Sequence, residues 1–180
     1  ALSIHDDIID QTKVKGGYDT VYGRFGKDIA LLVGDALLFK GFSLVSTLTE
    51  KGVSTSKVSI IAEIIKNTFF ELGTAEAMEL NFRHRLDVSP ETYLQIIRKK
   101  AADVEAHTRI GAIMGNGSRE EVEAMAHYGR SLGMMIILRD DWIDLMDPEE
   151  IRHRIRKESL PLPVLYGLQD PQVNLKLRPI

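Results

Sequence analysis

The sequence predicts an all-α protein built as an antiparallel bundle of long helices. Three observations carry that expectation. Apolar residues recur three and four apart instead of alternating, as one face of a helix requires. Helix-starting and helix-ending residues are frequent, whereas strand signals are nearly absent. Long periodic segments are joined by short connections, which favours a bundle over separate modules. With 180 residues, 44% of them hydrophobic, the chain can bury one sizeable core, so a single helical domain over 1–180 is expected. There is no internal repeat and no low-complexity segment.

Taken in order, Leu2, Ile4, Ile8 and Ile9 mark the end of a helix that stops before Lys15-Gly16-Gly17, where two glycines permit left-handed turn geometry. From residue 19 to 49 the pattern Ile29, Leu32, Val33, Ala36, Leu37 predicts one long helix or two consecutive ones, ended near Gly52. Gly34 within it marks close packing. Ser54 to Ser56 can cap a helix reaching about Arg85, and Ser89-Pro90 offers a cap and a first-turn proline for another running to Gly115. Ser118 with Glu121 three residues on is a capping-box pattern for a helix through Met134 and Met135 to Leu145. Both methionines are read as core filling. Asp147-Pro148 starts a further helix, followed only by short pieces.

Composition excludes several function classes. A net charge of −3 and a pI of about 6.0 give no broad basic surface for nucleic acid or anionic membrane, so an anionic ligand must be held locally. The absence of cysteine rules out disulfides and thiolate metal sites and is compatible with a reducing cytoplasm, where we place the chain. The apolar stretch 29–39 is interrupted by Gly34 and Asp35 and falls short of the ~20 residues a bilayer needs, so no transmembrane segment is expected. The chain opens at Ala1 directly before an acidic motif, without a basic and apolar leader, and reads as truncated at both ends.

Two acid clusters carry the chemistry. Asp6, Asp7 and Asp10 form Asp-Asp-x-x-Asp, with positions 6 and 10 one helical turn apart and their carboxylates on one face. Such a face repels itself unless cations arrive. The arrangement recurs at Asp140, Asp141 and Asp144, with Trp142 and Ile143 between the acids. One cluster of this kind is ordinarily a solvated helix surface; two of them argue for a site. Hard oxygen donors in this number suit Mg²⁺, which bridges a few carboxylates to phosphate oxygens. Two such helices facing each other across a bundle would hold several metal ions around a diphosphate, a chemistry that suits ionisation of an allylic diphosphate.

The motifs Ile4-His5-Asp6-Asp7-Ile8-Ile9-Asp10 and Leu138-Arg139-Asp140-Asp141-Trp142-Ile143-Asp144 resemble the two aspartate-rich motifs of the trans-prenyltransferase family, the polyprenyl synthetases or isoprenyl diphosphate synthases, which include farnesyl and geranylgeranyl diphosphate synthases. Between them, Gly34-Asp35-Ala36-Leu37, the segment from Tyr93 to Lys100, and Tyr128-Gly129-Arg130 with Leu132-Gly133 resemble further family segments in the same order. The resemblance implies an isoprenoid-synthase bundle that condenses an allylic diphosphate with isopentenyl diphosphate and releases diphosphate. It implies catalytic roles for Asp6, Asp7, Asp10, Lys100, Asp140 and Asp141. Metal ligation falls to Asp6, Asp10 and Asp140, with Asp7, Asp141 and Asp144 completing or orienting the shell; Asp144 is included among the candidate ligands. Lys15, Lys100 and Lys157 are the implied substrate-binding cations, Lys15 for isopentenyl diphosphate and the others for the allylic diphosphate. A homodimer is implied as well. Ala1 and Leu2, small or non-aromatic ahead of the first motif, imply a product of at least geranylgeranyl size.

The chain departs from the family pattern in several places. Val14-Lys15-Gly16 stands where two arginines and a glycine are usual, so one arginine is missing at Val14 and the other is Lys15, and lysine lacks the bidentate fork. Ala101 replaces a threonine, Ile136-Ile137 replaces Phe-Gln, and no Gly-Lys segment follows the second motif, although Arg152, Arg154 and Arg156 supply positive charge there. These losses support an alternative, a non-catalytic subunit of a heteromeric prenyl synthase. A terpene cyclase is argued against by the second Asp-rich motif. His5 is read as a packing histidine, and Glu76 and Glu79, three apart on one helix face, as residues that line the cavity or face solvent.

Overall fold

The structure, a computed structural model, describes residues 1–177, with Leu177 described by its backbone alone; the expectation for the C-terminal end falls outside them. The chain divides into two compact units, Ala1–Ala62 and Glu63–Ile180, with the division inside a long helix. Helices dominate both, as the spacing of apolar residues predicts.

The first unit runs α1 (Leu2–Ile9), a two-strand ladder of β1 (Val14–Lys15) and β2 (Tyr18–Asp19), α2 (Val21–Phe25), α3 (Lys27–Ser46), and the opening turns of α4 (Thr55–Leu80). The segment expected as a loop is a tight hairpin, Val14 paired with Asp19 and Lys15 with Tyr18. Gly16 and Gly17 make this possible, because both have positive φ (58° and 81°), the geometry of a primed two-residue turn. The predicted 19–49 segment resolves into two helices because Gly26 sits at φ 80°, outside the helical range. Helices α1 and α2 pack on α3. Gly34 permits the first contact: a Cβ there would lie 2.7 Å from His5 Nε2. His5 thereby rests on α3 and pairs with Asp35 at 3.0 Å, the packing role its position suggested.

Helix α3 extends the apolar run beyond residue 39 through Phe42, Leu44 and Val45. By length and composition alone it is long and apolar enough to cross a membrane, which the shorter reading of the run did not foresee. Asp35 and Lys40 interrupt it.

The second unit contains the rest of α4, then α5 (Pro90–Lys100), α6 (Ala102–Met114), α7 (Arg119–Met146), α8 (Pro148–Lys157), α9 (Leu162–Gln169) and α10 (Pro171–Leu177). Three helix starts fall where their caps predict. Ser89 accepts from Thr92 N, Ser118 and Glu121 complete a capping box, and Asp147 accepts from Glu149 N ahead of Pro148. Helix α4 ends at Leu80, short of Arg85, as the Asn81 amide donates to Ala77 O and His84 takes a left-handed φ of 60°. The helix predicted from 90 to 115 is interrupted at Ala101, which is fully buried against Gly133; a Cβ on Gly133 would lie 2.9 Å from the Ala101 Cβ.

Helices α6 and α7 pack most extensively, and Gly129 lets them approach: a Cβ there would meet Thr108 Oγ1 at 2.1 Å. Arg130, one residue on, bridges three segments through Glu105, both oxygens of Glu71, and Arg98 O. The core gathers Ala75, Tyr93, Ile96, Ile97, Leu160, Leu165 and Leu168, with Met134, Ile137 and Leu138 packed against it. Met134 therefore fills the core as expected, but Met135 does not: it is 67% exposed, on the other side of α7.

Candidate functional site

The first acid motif occupies α1. Asp7 points inward and is buried, while Asp6 and Asp10 on either side are half-buried. The nearest cation to Asp7 is Lys15 on β1, with Nζ 4.0 Å from Oδ1 and the lysine side chain 64% exposed. Burial pushes the Asp7 carboxyl up from its ordinary value; Lys15 pulls it back and Asp6 adds to the rise.

The second motif lies near the end of α7 and is held far more tightly. Asp141 is 1% exposed, and both its oxygens are engaged. Oδ1 accepts from Arg154 Nη1 at 2.6 Å and from the Tyr93 hydroxyl at 3.1 Å, while Oδ2 accepts from Leu162 N, in the first turn of α9, at 3.1 Å. One carboxylate thus joins α5, α7, α8 and α9. Arg154 Nη1 also reaches Asp144 at 3.0 Å, and Nη2 donates to the Tyr93 oxygen. Its Nε lies 3.3 Å from Glu158 as an ion pair without hydrogen-bond alignment. Burial opposes the charge on Arg154, but the surrounding acceptors outweigh it and hold the guanidinium protonated. Asp140 is different: its side chain is 52% exposed, touched by its own neighbour Arg139 at 2.8 Å. Trp142 and Ile143, between the acids, are both more than half exposed.

Beside this cluster stands Lys100, the last residue of α5. It pairs with Glu76 at 3.1 Å and still more closely with Glu79. Glu79 in turn accepts from Ser159 Oγ at 2.6 Å, just beyond α8. Burial, which would raise the Glu79 carboxyl, is overcome by Lys100 and Ser159, so it is held below the ordinary range. Across both clusters the buried Arg154 and the half-buried Lys100 pair with five carboxylates: Asp141, Asp144 and Glu158 for the arginine, Glu76 and Glu79 for the lysine. Lys157, the remaining candidate, lines a surface cavity of about 320 Å³ with Glu149, Arg152, His153 and Arg156.

Sequence reasoning named Asp141 and Lys100 but not Tyr93, Glu158 or Ser159 as their partners, and took Arg154 only as local positive charge. A signal for Arg154 was present. Ile151, Arg154 and Ile155 fall three and four apart, so this arginine sits on the apolar face of α8, where an unpaired charge is untenable. The Tyr93 hydroxyl and the Leu162 amide carried no such mark.

The profile of the Polyprenyl synthetase family matches residues 1–179. A short chain isoprenyl diphosphate synthase of Methanothermobacter thermautotrophicus is 34% identical over 148 residues, covering 82% of this chain and 44% of the relative. A geranylgeranyl diphosphate synthase of Methanosarcina mazei is 31% identical over 158 residues, covering 87% of this chain and 48% of the relative. Among solved structures, the geranylgeranyl pyrophosphate synthetase of Pyrococcus horikoshii superposes with a TM-score of 0.83 at 28% identity, over 94% of this chain and 54% of the other. The chain spans about half the length of the curated relatives it matches.

Proposed function

The chain belongs to the polyprenyl synthetase family, and on that premise we propose that it carries the diphosphate-handling centre of a prenyl diphosphate synthase, which condenses an allylic diphosphate with isopentenyl diphosphate. One observation carries this reading. In both Asp-Asp-x-x-Asp motifs the second aspartate is buried, while the first stays accessible to a ligand. A mere solvated helix face would not turn the same position inward twice.

The donor set fits Mg²⁺. Among the described residues no three His, Cys, Asp or Glu side chains converge as a metal cage. Mg²⁺ needs none, since it takes one or two carboxylates and keeps water or phosphate oxygens at its other positions. Asp6 and Asp10 in the first unit, and Asp140 in the second, would each offer carboxylate oxygens to such an ion, and when bound it supplies the charge that offsets a departing diphosphate. Asp7 and Asp141 orient their helices from inside, and Asp144 is shared with Arg154. Lys15, Lys100 and Lys157 contribute point charges toward diphosphate oxygens. A cytoplasmic homodimer and a product of at least geranylgeranyl size complete the reading; the family resemblance supports the dimer, and the lack of an aromatic at Ala1 and Leu2 supports the product length.

A second reading, the non-catalytic subunit of a heteromeric synthase, is favoured by Ala101 and Ile137. Both positions, polar in the family pattern, are given over to packing here: Ala101 is fully buried and Ile137 lies against the core. Product analysis with Mg²⁺, labelled isopentenyl diphosphate and a series of allylic diphosphates separates the two. Elongated products that vanish in Asp6→Ala or Asp140→Ala establish the synthase and report product length. A folded protein that elongates no primer selects the subunit reading.

A further inference from the structure

Lys100 is held by two carboxylates of unequal standing. Glu76 and Glu79 lie three residues apart on α4 and reach the same ammonium. Glu79 is engaged on both oxygens, by Lys100 on one and Ser159 on the other, and its side chain is 13% exposed. Glu76 is 30% exposed and meets Lys100 at the longer distance of 3.1 Å. Of the two, Glu76 is the one that water can stabilise on departure, since a carboxylate leaving a half-open position regains hydration while one leaving a closed position does not.

We propose that Glu76 competes with the diphosphate for Lys100, and so sets how tightly this chain grips its anionic substrate, whereas Glu79 is the anchor that keeps the lysine aimed. The inference rests on the reading above that Lys100 contacts diphosphate. An ammonium has three donors, so Lys100 can keep Glu79 and offer a phosphate oxygen the donor that Glu76 vacates. The Glu76 carboxylate, seated on the ammonium, also places negative charge where a diphosphate oxygen would approach, and like charges repel. Burial would strip the proton from Lys100, yet Glu79 and Glu76 together hold it well above its ordinary range. The lysine is therefore charged throughout, and what changes on binding is its partner.

The test is a double-mutant cycle read by calorimetric titration of inorganic diphosphate with Mg²⁺ into the purified protein. Glu76→Gln removes the competing charge and preserves shape. Its Kd is expected to fall about fivefold, the scale of one partly exposed ion pair. Lys100→Met raises Kd, and in that background Glu76→Gln shifts it less than about twofold, because there is no lysine left to release. An unchanged or weaker Kd in Glu76→Gln overturns the proposal, as does an equal gain in both backgrounds, which would make Glu76 a diffuse charge. If Lys100→Met binds like the parent, Lys100 is not the diphosphate contact and the proposal falls with it. If the parent itself binds no diphosphate, the failure is that of the synthase reading.

Discussion

The two acid motifs share one sequence pattern and differ in how the fold holds them. In the first, Asp7 is buried on α1 and, among the described residues, has a single cation, 4.0 Å away on an exposed lysine. In the second, Asp141 is buried on α7 with an arginine, a tyrosine hydroxyl and a helix-terminal amide all donating to it. One central carboxylate is poorly compensated, the other fully. What a motif residue does is decided by the donors that distant segments bring to it, and those donors are not part of the motif.

The largest break in this comparison should come from Arg154→Met. Removing one partner of a buried pair leaves the other charge uncompensated, at about 3–5 kcal/mol. Here Asp141 would lose its charged donor while remaining almost wholly enclosed, and Asp144 and Tyr93 would lose a partner too. Urea unfolding should show that loss. Arg154→Lys should restore only part of it, since an ammonium cannot span Asp141, Asp144 and Tyr93 as the fork does. A loss below about 1 kcal/mol in Arg154→Met would mean that the second motif is no more tightly held than the first.

Legibility followed the range of the interactions. The capped starts of α5, α7 and α8 were readable because Ser89, Ser118 and Asp147 bond to amides two or three residues away. The interruption at Ala101 was not, because it coincides with a close approach by Gly133 from another helix. Both acid motifs were visible, and so was the family. That Asp141 is engaged on every side depends on Tyr93, forty-eight residues earlier, and on Leu162, twenty-one later, pairings that one sequence does not display. Met135 shows the converse: its apolar character suggested the core, but its place on α7 turns it outward.

The comparison also predicts opposite responses to acid. Asp7 has a folded-state pKa above its ordinary 3.8, so the folded first unit binds that proton more tightly than the unfolded chain does. Its favourable contribution is complete below about 3.8 and is lost as pH rises through the raised value. Glu79, in the second unit, is depressed below 4.5; its contribution is present above 4.5 and is lost as pH falls through the lowered value. Amide exchange followed from pH 6 down to about pH 3 should therefore show Asp7 adding protection to α1 while Glu79 withdraws it from α5. Asp7→Asn and Glu79→Gln isolate the two effects, and each should flatten the pH dependence of its own unit. Flattening of the same sign in both would show that the two carboxylates are held alike.

The smallest effect concerns Lys15 and asks whether the first motif is held by charge at all. At 4.0 Å, with a side chain mostly in water, Lys15 should contribute under about 0.5 kcal/mol to stability, so Lys15→Ala should leave the unfolding midpoint nearly unmoved. Its influence should instead appear in the titration of Asp7. Burial raises that carboxyl and Lys15 lowers it, so removing the lysine should move the midpoint further up. Lys15→Arg should move it down, because a guanidinium can present two donors where the ammonium presents a distant point. Carbon-detected NMR of the Asp7 carboxyl reads both shifts directly. Displacements in these opposite directions, with little change in stability, would show that the hairpin lysine adjusts the charge of the first motif without securing its fold, the reverse of what Arg154 does for the second. A midpoint indifferent to both substitutions would leave burial and Asp6 in control of Asp7, and the hairpin lysine would then have no part in setting the charge of that carboxyl.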